Sequence, residues 1–568
     1  MEPFASACRR HPTSRLLPAA LALALLLFSF LAQAGPPQAA ISSAHPLSTR
    51  AGFEILDRGG NAFDAAIAVS AALAVVEPSG SGLGGGGFWL LRRASDGREA
   101  MVDGRERAPL AATRSMYLDA AGHPVADRSM NGPLAAGIPG MPAALAHLAE
   151  HFGRLPLAMS LAPAIRYAEE GFPVGERYVR LITPRAEVLK GSPSAAAIFL
   201  PGGRLPAPGD RLVQKDLAAT LRNLAHSGRD GFYSGATADK LADGVRAAGG
   251  IWTRRDLEDY RAIEREPVHG YYQGIRITSA APPSAGGFGL IEMLNILNAY
   301  DLDSLPAVTR IHLIVEAMRR AYHDREEFLG DPDFVAIPLL RLLSPNYAAG
   351  LRSTLRLDRA LPSDFLSQPV KPEPVGEHTT HFSILDREGN AVAATLSINY
   401  AFGSGFVPPG TGVLLNDEMD DFAAKPGTAN VYGLVGGKAN AIAPGKRMLS
   451  SMAPTFLDDG ARFGLVGTPG GSRIVSMVLL AALDFARGRG AESWVALPRF
   501  HHQYLPDVIE HEPGALDAAE QQALRQLGNA LKQTERPYGD MHAVLWEKEK
   551  NRVRAASDPR GEGSAEVR

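Results

Sequence analysis

The run Gly376-Glu377-His378 leads directly into Thr379-Thr380-His381-Phe382-Ser383, about two-thirds of the way along a 568-residue chain. A threonine hydroxyl is a poor nucleophile unless a base takes its proton. Cutting the His378–Thr379 bond supplies that base from the same residue. The freed α-amine has an unperturbed pKa near ~7.7–8.0, close enough to neutrality for general-base work. The residues therefore suggest a chain that becomes two, with Thr379 opening the second and its hydroxyl as the attacking group. In isolation, Thr379-Thr380 reads more simply as the start of a β-branched strand, and the rest of the sequence must decide between the two.

An acyl-transfer site also needs amide donors aimed at the developing oxyanion, and losing one such donor typically costs ~10²–10³ in rate. Gly470-Gly471, between Pro469 and Ser472, can present bare N–H groups at a helix start; alone, the triplet is an ordinary strand-to-helix turn. The run Gly84 to Gly87 lacks a following Lys-Ser/Thr, so it is no phosphate-binding loop and is read as close backbone packing. His501-His502 and Glu510-His511-Glu512 fit no helical zinc spacing, and no metal or other cofactor is expected.

The elements that must position these groups follow from composition and patterning. The chain is 45% hydrophobic and 21% charged, ordinary for a globular protein with ample core. Arg9, Arg10 and Arg15 precede an apolar run, Ala19 to Phe28, followed by Ala32-Gln33-Ala34. That layout is a secretory signal peptide, residues 1–34, and the run is roughly half the ~20 residues needed to span a bilayer. The single cysteine, Cys8, lies within it, so the mature chain has no thiol chemistry and no disulfide. Removing three Arg and one Glu with that segment shifts the net charge from −3 to −5. Without a basic block, nucleic acid or an anionic membrane is excluded as principal partner. Asn61 to Val76 reads as a buried helix capped by Asn61 or Asp64. Phe88 to Leu91 reads as a strand and Arg310 to Phe328 as a helix. Residues 353–378 carry Pro362, Pro369, Pro372 and Pro374 and read as an extended connector ending at the proposed cut. Thr380 to Leu385 and Ala391 to Ile398 read as strands joined by the Gly-containing turn Asp386 to Asn390, with Thr379 at an edge of a central sheet. Further strands are expected over Phe463 to Val466 and Ala543 to Glu547, and a core helix over Ser472 to Ala486.

Several long motifs, in order, resemble the γ-glutamyltranspeptidase family. Toward the C-terminus these are Thr379-Thr380-His381, Asn416-Asp417-Glu418-Met419-Asp420-Asp421-Phe422, Lys425-Pro426-Gly427, Leu449-Ser450-Ser451-Met452 and Pro469-Gly470-Gly471-Ser472-Arg473. Toward the N-terminus they are Gly84 to Gly87, Asp103-Gly104-Arg105-Glu106 and Gly330-Asp331-Pro332-Asp333, so the likeness runs from about residue 40 to Arg560. The resemblance implies an α/β N-terminal-nucleophile hydrolase fold, a four-layer αββα sandwich built by a large subunit, 35–378, and a small catalytic subunit, 379–568. It implies self-cleavage at His378–Thr379 and transfer of γ-glutamyl groups from glutathione and related compounds to water, amino acids or dipeptides, with no cofactor. The implied heterodimer would be periplasmic or secreted.

Carried over residue by residue, the resemblance makes Thr379 the nucleophile and Gly470 and Gly471 the oxyanion donors. Arg105 grips the substrate α-carboxylate, and a planar fork fits a carboxylate better than an ammonium would. Ser450 and Ser451 share that carboxylate, while Asn399, Glu418 and Asp421 surround the α-ammonium. Ser397 stands where many relatives have a threonine supporting the nucleophile, keeping the oxygen and losing the β-branch. Glu418 stands where some bacterial relatives have glutamine. Residues 425–437 match a lid loop found in some members, with Tyr432 placed to close over substrate. Two other readings compete. A glutaryl acylase of the same fold would not need the ammonium acceptors, and a non-catalytic periplasmic binding protein would stay in one piece.

Overall fold

The hairpin that follows Thr379 forms as its pattern dictates. Thr380–Leu385 and Ala391–Ser397 pair antiparallel, Leu396 opposite Thr380. Asp386 closes the turn by accepting, on Oδ1, the N–H groups of Glu388 and Asn390, each at 2.9 Å. The computed structural model describes residues 35–125, 127–366, 379–425, 427, 430, 433, 434 and 436–568. The expected signal peptide, His378, Tyr432 and the last part of the proline-rich connector lie outside the described residues.

The strands of the two large sheets, in chain order, are β1 Ala40–Ser43, β2 Gly86–Arg92, β3 Glu99–Asp103, β4 Ile263–Arg265, β5 Val268–Tyr272, β6 Ile275–Ser279, β7 Thr380–Leu385, β8 Ala391–Ser397, β9 Thr455–Asp458, β10 Arg462–Gly467, β11 His542–Glu547, β12 Arg552–Ser557 and β13 Ser564–Val567. One sheet runs β13-β1-β7-β8-β2-β3-β4 and the other β12-β11-β10-β9-β6-β5, with antiparallel pairing throughout. The sequence reading puts Thr379 at a sheet edge. Instead β7 is hydrogen-bonded to β1 on one side and β8 on the other, so Thr379 sits at the tip of an interior strand. Two ladders hold the backbone that follows Thr379, which is firmer support than an edge would give.

Between the sheets, Leu90, Leu385 and Ala393 meet Phe456, Phe463, Leu465 and Val544 in one apolar layer. Helices cover both outer faces. Over the first sheet lie α1 Pro46–Asp57 and α2 Ala62–Val76, with α3 Leu157–Glu170 and α4 Lys215–Ser227 in the same core. Over the second lie α5 Gly286–Leu297, α6 Ala307–Phe328 and α7 Ile474–Ala486. This is the four-layer αββα sandwich that the resemblance implies. All fifteen residues of α2 are buried, which explains its lack of a polar face: sheet and helices enclose it on every side. Asn61 and Asp64 cap it jointly. Asn61 Oδ1 accepts from the Phe63 and Asp64 N–H groups, and Asp64 Oδ2 accepts from that of Asn61; such a box contributes ~1 kcal/mol. Helix α6 starts at Ala307, three residues ahead of the pattern, because Pro306 provides the break.

The Gly84–Gly87 run is a close approach of backbones, as its composition suggests. A Cβ on Gly84 would fall 2.0 Å from the Leu414 carbonyl oxygen, and one on Gly85 would fall 2.1 Å from that of Ser397. The run therefore presses β2 against the end of β8 and the 414–415 segment, beside the tip where Thr379 emerges.

Candidate active site

Thr379 and Ser397 meet through sheet register. The ladder that sets Leu396 opposite Thr380 brings the next residue of each strand side by side at the strand ends, and both line one cleft. The Ser397 hydroxyl accepts the Asn399 N–H at 2.7 Å. Asn399 has φ +70°, a left-handed turn that asparagine tolerates better than most residues. Its side chain donates to the Asp417 carbonyl at 3.0 Å, and Asp417 Oδ1 accepts the Tyr400 N–H at 2.9 Å. The turn that ends β8 is thus fastened to the segment carrying Glu418 and Asp421.

Gly470 and Gly471 follow β10 and lead through a short 3-10 turn into α7. Their φ values are +141° and +55°. A Cβ on Gly470 would also meet Met477 Cε at 2.6 Å, so backbone shape and packing both require glycine there. The cleft, with about 290 Å³ of space, is lined by Arg105, Thr379, Ser397, Asn399, Glu418, Asp421, Ser450, Ser451 and Gly471, together with Leu434, Met452 and Ile474. Of the site residues expected from the sequence and described here, only Gly470 is not part of that lining. It adjoins it, one peptide away.

Arg105 is the centre of charge. It follows β3, and although 313 and 316 residues separate it from Glu418 and Asp421, its Nη1 and Nη2 donate to their carboxylates at 2.5 Å each. Nε donates to the Met448 carbonyl at 3.3 Å and Nη2 also to that of Leu449 at 3.4 Å. Arg105 and Glu418 are each 1% exposed. Burial disfavours the guanidinium charge, but Glu418, Asp421 and Glu106 together hold it above the usual arginine range. Burial pushes Glu418 up to about 7 against the pull of Arg105. The sequence reading sets Arg105 and the two acids apart, one facing a carboxylate and the others an ammonium. In the structure they neutralise one another directly.

Several residues that build the cleft had no role in the sequence reading. Glu106 Oε2 lies 3.5 Å from Arg105 Nη1, and burial, then Glu418, pushes the carboxyl well above the usual range. Asn416 uses its whole amide. It donates to the Gly84 and Gly137 carbonyls at 2.6 and 2.8 Å and accepts from the Gly137 and Glu418 N–H groups at 2.9 and 3.0 Å. Asn440 donates to the Asp421 carbonyl at 2.7 Å and accepts the Leu449 N–H at 3.0 Å, tying the acids to the Ser450-Ser451 segment. Asn430 donates to Asp421 Oδ1 at 2.9 Å. Asn416 stands inside a quoted motif and Asn430 within the 425–437 stretch, but amides in loops leave no periodic signal from which their work can be read.

Comparison with known proteins adds the following. The Gamma-glutamyltranspeptidase family model matches residues 48–567. A Pseudomonas sp. (strain A14) protein called glutathione hydrolase proenzyme is 42% identical, covering 95% of this chain and 96% of its own. A cephalosporin acylase from Bacillus halodurans superposes with a TM-score of 0.82 at 28% identity, over 100% of this chain and 99% of its own. A gamma-glutamyltranspeptidase chain from Helicobacter pylori matches with a TM-score of 0.55 at 39% identity, covering 56% of this chain and 92% of its own.

Proposed function

The chain belongs to the γ-glutamyltranspeptidase family, and from that membership we propose that it is a self-processing γ-glutamyltransferase and glutathione hydrolase with Thr379 as nucleophile. The carrying observation is that Thr379 shares one cleft with an internally neutralised set, Arg105, Glu418 and Asp421. An α-amino acid head group carries one charge of each sign. Entering, it exchanges partners: its carboxylate takes donors of Arg105 and the Ser450 and Ser451 hydroxyls, and its ammonium takes the acids so released, with Asn399 beside them. Net charge in the cleft is conserved, so binding does not leave a buried ion unpaired.

Maturation begins when Thr379 Oγ attacks the His378 carbonyl. The peptide bond becomes an ester, water hydrolyses it, and the α-amine of Thr379 is freed. In turnover that amine takes the hydroxyl proton as Oγ attacks the γ-carbonyl. The oxyanion is met by the Gly470 and Gly471 amides, and the leaving amine receives the proton as the γ-glutamyl ester forms. Water completes hydrolysis of that ester, and an amino-acid or dipeptide amine completes transfer. Ser397, alongside Thr379, steadies the attacking hydroxyl; Tyr432 would close the cleft. The product of maturation is a heterodimer of 35–378 and 379–568, exported to the periplasm by residues 1–34. Among the described residues, no helix is long and apolar enough to cross a membrane.

A second reading, a glutaryl acylase, is favoured by the whole-chain likeness to a cephalosporin acylase. Glutaryl lacks the ammonium, so it would leave Glu418 and Asp421 without the cation that replaces Arg105. Parallel kinetics on γ-glutamyl and glutaryl anilides separate the two, and a higher kcat/KM for glutaryl would overturn the γ-glutamyl reading.

Glu418 also gives a pH signature. With its pKa raised to about 7, it is neutral below that pH and gains its attraction for an ammonium as the pH rises through it. Glu418→Gln should remain processed and active, and its kcat/KM should lose the part of the acid limb centred near pH 7. Profiles that superpose for the two proteins would remove Glu418 from ammonium binding.

A further inference from the structure

The motifs Asp103-Gly104-Arg105-Glu106 and Gly330-Asp331-Pro332-Asp333 carry two fully buried carboxylates, Asp103 and Asp331, that the chemistry above does not use. One residue from beyond Thr379 engages both. The Arg447 N–H donates to Asp331 Oδ2 at 2.7 Å, and Arg447 Nε lies 3.4 Å from Asp103 Oδ2. Its Nη2 donates to the Arg261 carbonyl at 2.9 Å, and the guanidinium lies over the Tyr260 ring, 5.7 Å from the centroid. Arg447 is buried but does not line the Thr379 cleft.

Arg105 is held from the same place, at both of its ends. Its N–H donates to Asp103 Oδ1 at 2.9 Å, and its carbonyl accepts the Tyr260 hydroxyl at 2.7 Å. Its guanidinium donates to the carbonyls of Met448 and Leu449, the two residues between Arg447 and Ser450. The charges around Arg447 close into a ring. Asp103 Oδ2 accepts Arg265 Nε at 2.8 Å, Arg265 Nη2 donates to Asp333 Oδ2 at 2.7 Å, and the Asp333 N–H donates to Asp331 Oδ1 at 3.0 Å. A buried polar network in which each member has partners is rigid. The segment 447–451 and the residues 103–105 are therefore fixed against one another, and Arg447 is the residue common to both. That spacing matters for a carboxylate, because Arg105, Ser450 and Ser451 can all donate to it only while they converge on one point.

We propose that Arg447 is a positioning residue for selection of the substrate α-carboxylate: anchored on Asp331 and Asp103, it sets the Arg105 fork against the Ser450 and Ser451 hydroxyls. The inference rests on the reading of the cleft as a γ-glutamyl site. Arg447 touches no substrate and acts through Arg105 and the serine segment. Its loss should blunt recognition of the carboxylate and leave the groups that meet the γ-carbonyl as they were.

The test uses the processed enzyme and two donors that differ at one group: γ-glutamyl-p-nitroanilide, and the same compound with its α-carboxylate replaced by a carboxamide. The parent should favour the acid in kcat/KM. Arg447→Met keeps much of the buried bulk and removes the charge. It should narrow the acid-to-amide ratio about tenfold, through KM for the acid, which is the scale of one charge-assisted contact. Its kcat/KM for the amide should stay within about twofold, since no contact to the rest of the donor is touched. Arg447→Lys keeps a charge facing Asp103 without the planar fork. It should fall between the other two, and it decides the matter alone if the methionine variant does not fold. A parental acid-to-amide ratio in the variants, or an equal fall on both donors, overturns the proposal. A parent that cleaves both donors equally well overturns the carboxylate contact of Arg105, and one that cleaves neither overturns the γ-glutamyl reading; the role of Arg447 goes with either.

Discussion

Thr379→Ala is expected to run as one polypeptide on a denaturing gel and to turn over no γ-glutamyl substrate, a fall of at least about a thousandfold. Both losses have one cause. The substitution removes the oxygen that attacks the His378 carbonyl, so no new amine is made, and the same oxygen is then missing for substrate. The fold should survive, because Thr379 precedes β7 and its side chain bears no part of either flanking ladder. Far-ultraviolet circular dichroism should match the parent's. Thr379→Ser keeps the oxygen and loses only the methyl, and should still be cut and still act, at reduced rates. Normal cleavage of the alanine variant would take Thr379 out of maturation, and residual turnover at parental rate would take it out of catalysis.

The second large effect is expected at Arg105. Its removal strands Glu418 and Asp421, which it bridges at 2.5 Å each inside the protein. Breaking a buried pair from one side typically costs ~3–5 kcal/mol, so Arg105→Ala should melt several degrees below the parent. The pH dependence follows from the sign of the Glu418 shift. Its pKa is raised above the unfolded value, to about 7, so the folded chain holds a proton there that the unfolded chain has released. Stability from this group grows as the pH falls from about 7 toward the unfolded value. The deficit of the variant, in which the acid lacks its cation, should accordingly be largest above pH 7 and shrink below it. Binding falls as well. Losing the carboxylate fork is worth ~1.5–3 kcal/mol, or about 10–150-fold in KM. Arg105→Lys separates the effects: a point charge should restore much of the melting temperature, while the planar two-donor fit stays lost. A destabilised Arg105→Ala with unchanged KM would make Arg105 structural only.

What the sequence disclosed follows the reach of each signal. Helix α2 and the β7–β8 hairpin were readable because apolar pattern, cap and turn residues all lie within one short window. The interior place of β7 was not. It depends on β1 and, beyond it, β13, strands from opposite ends of the described chain, and no local pattern records such pairing. Arg105, Glu418 and Asp421 entered through motif resemblance rather than spacing, since more than three hundred residues separate the cation from its partners. That they neutralise one another is visible only in three dimensions, as are the amide ties made by Asn416 and Asn440. The doublet Gly470-Gly471 was legible as a turn, and its positive φ values agree with that reading.

The most direct test of the account is intact-mass analysis and N-terminal sequencing of purified enzyme, with activity assayed on the same sample. The expected result is two chains in equal amounts, one beginning near Gly35 and the other at Thr379, with activity rising in step with the second. A fully active sample whose mass is that of an unbroken chain through His378–Thr379 would contradict it.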